Sequence, residues 1–197
     1  PDNSIDVLSI GDSNVYSSIF PLVWWEQQGF TGYTWGQPSQ RIPETYEYLK
    51  KIYKHQKPSI VLIDGNNLFR DKTDIDNLDS ITKAKLATIF PVISFHKNLN
   101  PRRLKNIFGN QHSVMKGYYY RKASHKVHKK KHRMKFTRKC WQINKLSAST
   151  FSKCIHYCKS QGSIPVLISF QTITDGIIKS IMPYRKLPIK TESTLSI

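Results

Sequence analysis

Acidic side chains are almost missing from the second half of this chain. There is no Asp or Glu between Asp79 and Asp175. Residues 1–79 carry 11 acidic side chains against 7 Lys or Arg, whereas residues 80–197 carry 2 against 24, and the whole chain has a formal charge of +18. This asymmetry indicates an anionic partner for the second half, either nucleic acid, a teichoic-type polymer or a membrane surface.

Cysteine is scarce and long apolar runs are missing. The three cysteines, Cys140, Cys154 and Cys158, form no pair of Cys-x-x-Cys motifs, so the pattern supports neither a disulfide framework nor a zinc site. Cys154 and Cys158 lie four residues apart in a predicted helix, where we expect ordinary packing. The longest apolar stretches, residues 20–25 and 164–170, fall far below the roughly 20 residues that a membrane-spanning helix needs.

The chain nevertheless has the length and composition of a globular protein. Its 197 residues, 39% of them hydrophobic, are enough for one domain with a proper core, and we predict a single domain over residues 1–197. No signal peptide is predicted, because the chain begins at Pro1 and enters a strand at once. We expect neither a cofactor nor a metal ion, and the sequence leaves the oligomeric state open.

Three apolar strands alternate with helical patterns in the first 65 residues. We predict strands at residues 5–10, 33–35 and 59–64, the last buried on both faces. One helix is predicted from Val15 to the helix-ending Gly29, and a second where Ile42, Tyr46, Leu49 and Tyr53 recur at helical spacing. This alternation is typical of a parallel sheet in a three-layer α/β/α fold with flavodoxin-like strand order.

The pattern loosens after Asp71. Residues 81–90 and 99–108 are predicted to be helical, whereas residues 117–140 form a basic, aromatic-containing insertion without periodicity. A further helix follows over residues 143–158 with Gly162 as its cap, and residues 164–170 form a fourth strand.

Small polar turns follow the first three predicted strands. The first strand runs into Gly11-Asp12-Ser13, Gly36 closes the second, and Asn67 follows the third. Because the carboxyl ends of parallel strands share one edge of a sheet, we expect Ser13, Gly36 and Asn67 to converge on one crevice. A serine that attacks an ester carbonyl needs donors for the developing oxyanion, and a glycine N–H and an asparagine amide supply them.

These three blocks resemble the SGNH/GDSL hydrolase family of serine esterases and acyl transferases. Gly11-Asp12-Ser13 matches its first block, Gly36 its second, and Gly65-Asn66-Asn67 its Gly-x-Asn block. The residues around them are similar to bacterial cell-surface members related to teichoic-acid D-alanylation proteins. The resemblance implies Ser13 as the nucleophile, with its own N–H, the Gly36 N–H and the Asn67 side chain as oxyanion donors, and Gly11 and Asp12 as the supporting turn. It also implies acylated envelope carbohydrate as substrate and a location in the cell envelope or outside the cytoplasm.

The last block of that family, Asp-x-x-His, is missing. Asp175 is the only late aspartate, and Ile178 stands where the histidine would be. Without a general base the serine is poorly activated, so we expect an inactive or impaired enzyme. The histidines that remain as substitute bases are His96, His112, His125, His128 and His132, while His156 lies within a predicted helix.

The final stretch, residues 175–197, is atypical for such a fold because it has no acidic block and no obvious strand. Synonymous codons can be chosen so that reading two nucleotides later spells an amphipathic helix that leads into a strand. We therefore hypothesise a frameshift near residues 172–174 that removed the last strand of the sheet together with the base. The DNA sequence tests this, since stop codons in the other frame would contradict it.

The basic insertion suggests a second class of function. Residues 121–139 hold ten Lys or Arg, three His and no acid, and follow three consecutive tyrosines. Such a segment can bind single-stranded nucleic acid or be a solvated loop, and beside the family resemblance we favour an anionic polymer or phospholipid surface. The alternative to an enzyme is thus a non-catalytic module that binds an anionic polymer. The residues predicted to make these contacts are Arg121, Lys122, Lys129, Lys130, Lys131 and Arg133.

Overall fold

A computed structural model describes residues 2–71, 73–89, 115–120, 135–136, 143–170 and 177–178. The chain groups into two compact units, residues 1–125 with 142–170 and residues 126–141 with 171–197. Of the second unit, the described part is a parallel pair of two-residue strands, β4 (Lys135–Phe136) and β6 (Ile177–Ile178). The single domain over residues 1–197 stays a prediction.

A four-stranded, all-parallel sheet lies at the centre of the first unit. Its strand order is β2-β1-β3-β5, with β1 at Val7–Gly11, β2 at Gly32–Gly36, β3 at Ile60–Asp64 and β5 at Ile164–Ile168. In β1, Gly11 pairs with Gly36 of β2, and Ile10 pairs with Ile63 of β3. The predicted parallel sheet is therefore confirmed.

Two short helices follow β1 where the sequence predicted one. Helix α1 spans Ser13–Ser18 and α2 spans Pro21–Gln28, with an extended backbone at Ile19 and Phe20 between them. Proline lacks an N–H and disfavours helical backbone at the preceding residue, so Pro21 ends one helix and begins the next. Gly29 terminates α2 in the left-handed conformation, with φ of 76°, as predicted.

Helix α3 (Ile42–Ile52) confirms the clearest helical pattern of the sequence. Its first turn contains Pro43, where no backbone donor is needed, and the Glu44 carboxylate accepts the Arg41 backbone N–H at 2.7 Å. A 3₁₀ helix (Gly65–Phe69) follows β3 directly, and α4 then spans Asp74–Ile89. Helix α4 thus begins earlier than the predicted residue 81.

The last described helix, α5 (Lys145–Ser160), ends in a Schellman motif. Gly162, with φ of 84°, donates its N–H to the carbonyl of Lys159, and Ser163 donates to the carbonyl of Cys158. The predicted glycine therefore terminates the helix, one position beyond its Gln161 cap. The helix predicted at residues 99–108 lies outside the described residues.

Helices cover both faces of the sheet and make three layers. One face packs against α3 and α5 in a core that includes Leu8, Ile10, Leu49, Val61, Ile63, Phe151, Cys154 and Cys158. On the other face, a Cβ atom at Gly32 would lie 2.5 Å from the ring of Trp24 in α2, and one at Gly11 would lie 2.4 Å from Val15 in α1. The two cysteines, Cys154 and Cys158, are buried in the core, as predicted.

No helix among the described residues has the length and apolar character required to cross a membrane.

The second helical layer does not extend over the whole sheet. Helices α1 and α2 contact β1 and β2, whereas Ile60 and Leu62 of β3 are only half-buried and Ile164 of β5 is 64% exposed. The expectation that β3 is buried on both faces is therefore wrong for the α1 side. Val61 and Ile63, which face α3 and α5, are fully buried.

Candidate active site

The turn after β1 holds Ser13 at the start of α1. Asp12 caps the helix, since its Oδ1 accepts the backbone N–H of Asn14 at 2.8 Å. The Asp12 side chain is completely buried, whereas Ser13 is exposed. Asp12 therefore fixes the turn from inside while the serine beside it reaches solvent.

Glycine is required at both predicted positions beside this turn because the strands approach closely. A Cβ atom at Gly36 would lie 2.7 Å from the Gly11 carbonyl oxygen and 2.8 Å from the ring of Tyr16. A Cβ atom at Gly11 would lie 2.5 Å from the Cβ of Asp64, at the end of β3. The carboxyl ends of β1, β2 and β3 are thus in direct contact.

Asn67 lies in the 3₁₀ helix that follows β3. Asp64 caps this helix by accepting the Asn66 N–H at 2.9 Å, which places Asn67 near the end of the strand. The side chain of Asn67 is 2% exposed, and its Oδ1 accepts from Arg70 Nε at 3.2 Å. Its Nδ2 is buried and has no hydrogen-bond partner within the described part of the chain. Ser13, Gly36 and Asn67 therefore share the carboxyl edge of adjacent strands, where the sequence predicted them.

Two charged groups at this edge were not predicted from the sequence. Arg70 forms an ion pair through Nη2 with Asp12 Oδ2, 58 positions earlier in the chain. Asp64 is fully buried, and burial raises its pKa to about 7, with a further contribution from the negative charge of Asp12 and opposition from the Asn66 N–H. No local motif marks either group, because the pairing of distant strands brings Arg70 and Asp64 next to Asp12.

A second arginine ties α3 to the beginning of α4. Arg41 donates through Nη1 to Asp71 Oδ1 at 2.5 Å and to Ser80 Oγ at 2.8 Å. Asp71 and Ser80 are both 2% exposed. The buried Asp71 carboxylate therefore has a cationic partner. This ion pair stabilises the junction of α3 and α4 rather than the serine turn.

The described histidines lie away from the serine turn. His55 follows α3, where its carbonyl accepts the Asn3 N–H at 2.9 Å, at the opposite edge of the sheet. His156 is exposed on α5 and lines a surface groove with Tyr46. The other candidate bases, His96, His112, His125, His128 and His132, lie outside the described residues, as does Asp175. Ile178, at the fourth position of the missing motif, belongs to β6.

The tyrosines that precede the basic residues 121–139 pack beside the site. The backbone carbonyl of Lys116 accepts the Thr34 N–H of β2 at 2.9 Å, and Tyr119 donates its N–H to the carbonyl of Tyr16 at 2.8 Å. Tyr118 stacks at a tilt on Phe20, with ring centroids 4.8 Å apart. Tyr118 and Tyr119 therefore contact α1 and the N-cap of α2. The six predicted anion-binding residues lie outside the described residues: Arg121, Lys122, Lys129, Lys130, Lys131 and Arg133.

Comparison with models of known protein families, with curated proteins and with solved structures returns no match for this chain. The described residues contain no cluster of three or more His, Cys, Asp or Glu side chains with the arrangement of a metal site. Among the described residues, the groups that the carboxyl edge offers for chemistry are Ser13, its neighbouring donors and the charges beneath them.

Proposed function

We propose that the carboxyl edge of the sheet is a serine acyl-transfer site, acting as an SGNH/GDSL-type esterase or O-acyl transferase. The observation that carries the proposal is the buried Asn67 amide, whose Nδ2 lacks a partner among the described residues. A buried donor without an acceptor costs free energy and calls for an explanation, and we propose that a ligand or a transition state completes it here. Ser13 supplies a nucleophile at the same edge.

The proposed reaction begins with attack by Ser13 Oγ on the carbonyl carbon of an ester, while its proton passes to solvent water. The oxyanion that forms accepts hydrogen bonds from the backbone N–H groups of Ser13 and Gly36 and from Asn67 Nδ2. Collapse of this intermediate breaks the bond to the leaving alcohol, which takes up the proton. The resulting acyl-enzyme passes its acyl group to water in an esterase or to a hydroxyl acceptor in a transferase.

The base is the missing component of this proposal. The sequence has no Asp-x-x-His block, and the described histidines, His55 and His156, lie away from the turn. Removal of a triad member commonly costs several orders of magnitude in rate. We therefore propose a site that binds and orients an acyl ester but reacts with it slowly.

The substrate class rests on the sequence resemblance to bacterial cell-surface members. Acyl esters of envelope carbohydrate, acetyl esters in particular, are the substrates we propose, with a location in the cell envelope or outside the cytoplasm. An anionic envelope polymer or phospholipid surface fits the +22 balance of residues 80–197, which hold 24 basic and 2 acidic side chains.

A fluorophosphonate probe tests the nucleophile directly. We expect slow labelling of the full chain that Ser13→Ala abolishes and Ser17→Ala, a change at another exposed serine of α1, leaves intact. Labelling that survives Ser13→Ala, or no labelling of a folded chain at high probe concentration, contradicts the proposal. Mass spectrometry of the labelled peptide locates the adduct.

The second candidate function is a non-catalytic module for an anionic polymer. The charge distribution favours it, since residues 80–174 contain no Asp or Glu. We expect its binding to oligonucleotide or polyphosphate to weaken steeply with salt, because counterions are released from the polymer. Tight, salt-dependent oligonucleotide binding without hydrolysis of an acetyl ester favours this candidate over the esterase.

A further inference from the structure

Arg70 links the two halves of the candidate site. Its Nη2 contacts Asp12, whose other carboxylate oxygen caps Asn14 in the serine turn, and its Nε donates to Asn67 at 3.2 Å. One side chain thus joins the turn after β1 to the 3₁₀ helix after β3. Among the described residues, no backbone hydrogen bond between these two loops provides the same connection.

The chemistry of the arginine decides how the Asn67 amide is oriented. A guanidinium group only donates hydrogen bonds, whereas an asparagine side chain has an oxygen that accepts and a nitrogen that donates. The atom of Asn67 that faces Arg70 is therefore Oδ1, and Nδ2 must point away from the arginine. A rotation of the amide by 180° would bring two sets of donors together.

The arginine is itself held in place by a buried charge. Asp12 has no exposed side-chain surface, and a carboxylate in that position needs a cationic partner. The guanidinium is planar and presents Nη2 and Nε in a fixed geometry, so the contact with Asp12 also sets the direction of the Nε–H bond. Lysine has one terminal nitrogen and cannot hold both acceptors in this arrangement.

We infer that Arg70 is a positioning residue that holds the Asn67 amide with Oδ1 on the guanidinium, which leaves Nδ2 as the available donor. The inference rests on the proposed function for the meaning of that orientation, since Asn67 Nδ2 is an oxyanion donor only if Ser13 is a nucleophile. The orientation itself is a property of the folded chain and is measurable without any reaction.

The first experiment records the side-chain amide signals of Asn67 in a proton–nitrogen correlation spectrum of the full chain. Asn67→Asp identifies them by their loss. We expect these signals to move in Arg70→Ala and in Arg70→Lys, which keeps the charge beside Asp12 but lacks the second fixed donor. Arg41→Lys is the matched control, because Arg41 also pairs with a buried aspartate, but its partners lie at the junction of α3 and α4 and not at Asn67. Signals that stay in place in folded Arg70→Lys, or that move equally in Arg41→Lys, overturn the inference.

The second experiment measures the rate of fluorophosphonate labelling at Ser13. We expect Arg70→Lys to slow labelling by on the order of 10-fold to 100-fold, the effect of a misplaced reacting group. On an Asn67→Ala background the same change should have little further effect, whereas a merely structural role gives the same factor on both backgrounds. Absence of labelling in the wild-type chain contradicts the proposed function, and the amide spectrum then still decides the role of Arg70.

Discussion

Asp64 makes the stability of this protein depend on pH in a direction unusual for a carboxylate. Its pKa rises from 3.8 to about 7 in the folded protein, because the side chain is buried beside Asp12. The folded state therefore binds more protons than the unfolded state between these two values. The contribution of this group to stability is complete below about pH 4, falls as the pH rises, and is lost above about pH 7.

The size of this effect on the free energy of unfolding follows from the pKa shift of Asp64. One pKa unit corresponds to about 1.4 kcal/mol, so a shift of about three units lowers the free energy of unfolding by on the order of 4 kcal/mol across the whole range. Between pH 5 and pH 8 the expected loss from Asp64 is about 2 to 3 kcal/mol. Asp64→Asn keeps an oxygen that accepts the Asn66 N–H and removes the titrating group. It should therefore be more stable than the wild type at pH 8 and should gain less, or nothing, at pH 5.

Urea unfolding followed by tryptophan fluorescence at several pH values between 5 and 8 measures this difference. Asp79→Asn removes an exposed carboxylate of α4 and controls for the loss of one negative charge. Subtraction of the variant from the wild type cancels the contribution of groups distant from Asp64 and leaves that of Asp64 together with its charge interaction with Asp12. A difference between wild type and Asp64→Asn that does not change with pH, or that changes in the opposite direction, refutes a raised pKa of Asp64.

Two further substitutions test the geometry of the fold. Gly36→Ala should lower the free energy of unfolding by about 1–3 kcal/mol in a urea titration, because its Cβ would lie 2.7 Å from the Gly11 carbonyl oxygen; unchanged stability would contradict this close approach. Asn144→Ala should cost about 1 kcal/mol by removing the cap of α5, where Oδ1 accepts the Leu146 N–H at 2.8 Å, and Asn144→Ser should restore most of it in thermal unfolding. Equal stability of the alanine and serine variants would speak against the cap.

The order of strands and helices was predictable because burial leaves a periodic trace in the sequence. Apolar runs marked β1 and β3, and helical spacing marked α3, whose Leu49 is fully buried. Helix α4 was predicted to start too late because Ile75 and Leu78 of its first turns are 78% and 55% exposed. Its buried positions there include the polar Ser80, so hydrophobic periodicity gives no signal for its beginning.

The candidate site was predictable only in part. The rule that ligands bind at the carboxyl ends of parallel strands placed Ser13, Gly36 and Asn67 at one edge, because it depends on strand order alone. The positions of Arg70 and Asp64 beside Asp12 depend on the register between β1 and β3, which brings Gly11 against Asp64. No spacing in a single sequence encodes that register, so the charges beneath the serine turn emerge only from the folded chain.

The pairing of β3 with β5 also has a consequence for how the chain folds. Ile60 pairs with Ile164, so an adjacent pair in the sheet joins residues 104 positions apart. A parallel pair this distant must close a long loop before its hydrogen bonds form, which slows folding and exposes the β3 edge in the meantime. During synthesis, the acidic residues 1–79, which include Ser13 and Asn67, are therefore made long before β5. Most of the basic residues 80–197 must be synthesised before β3 can pair with β5.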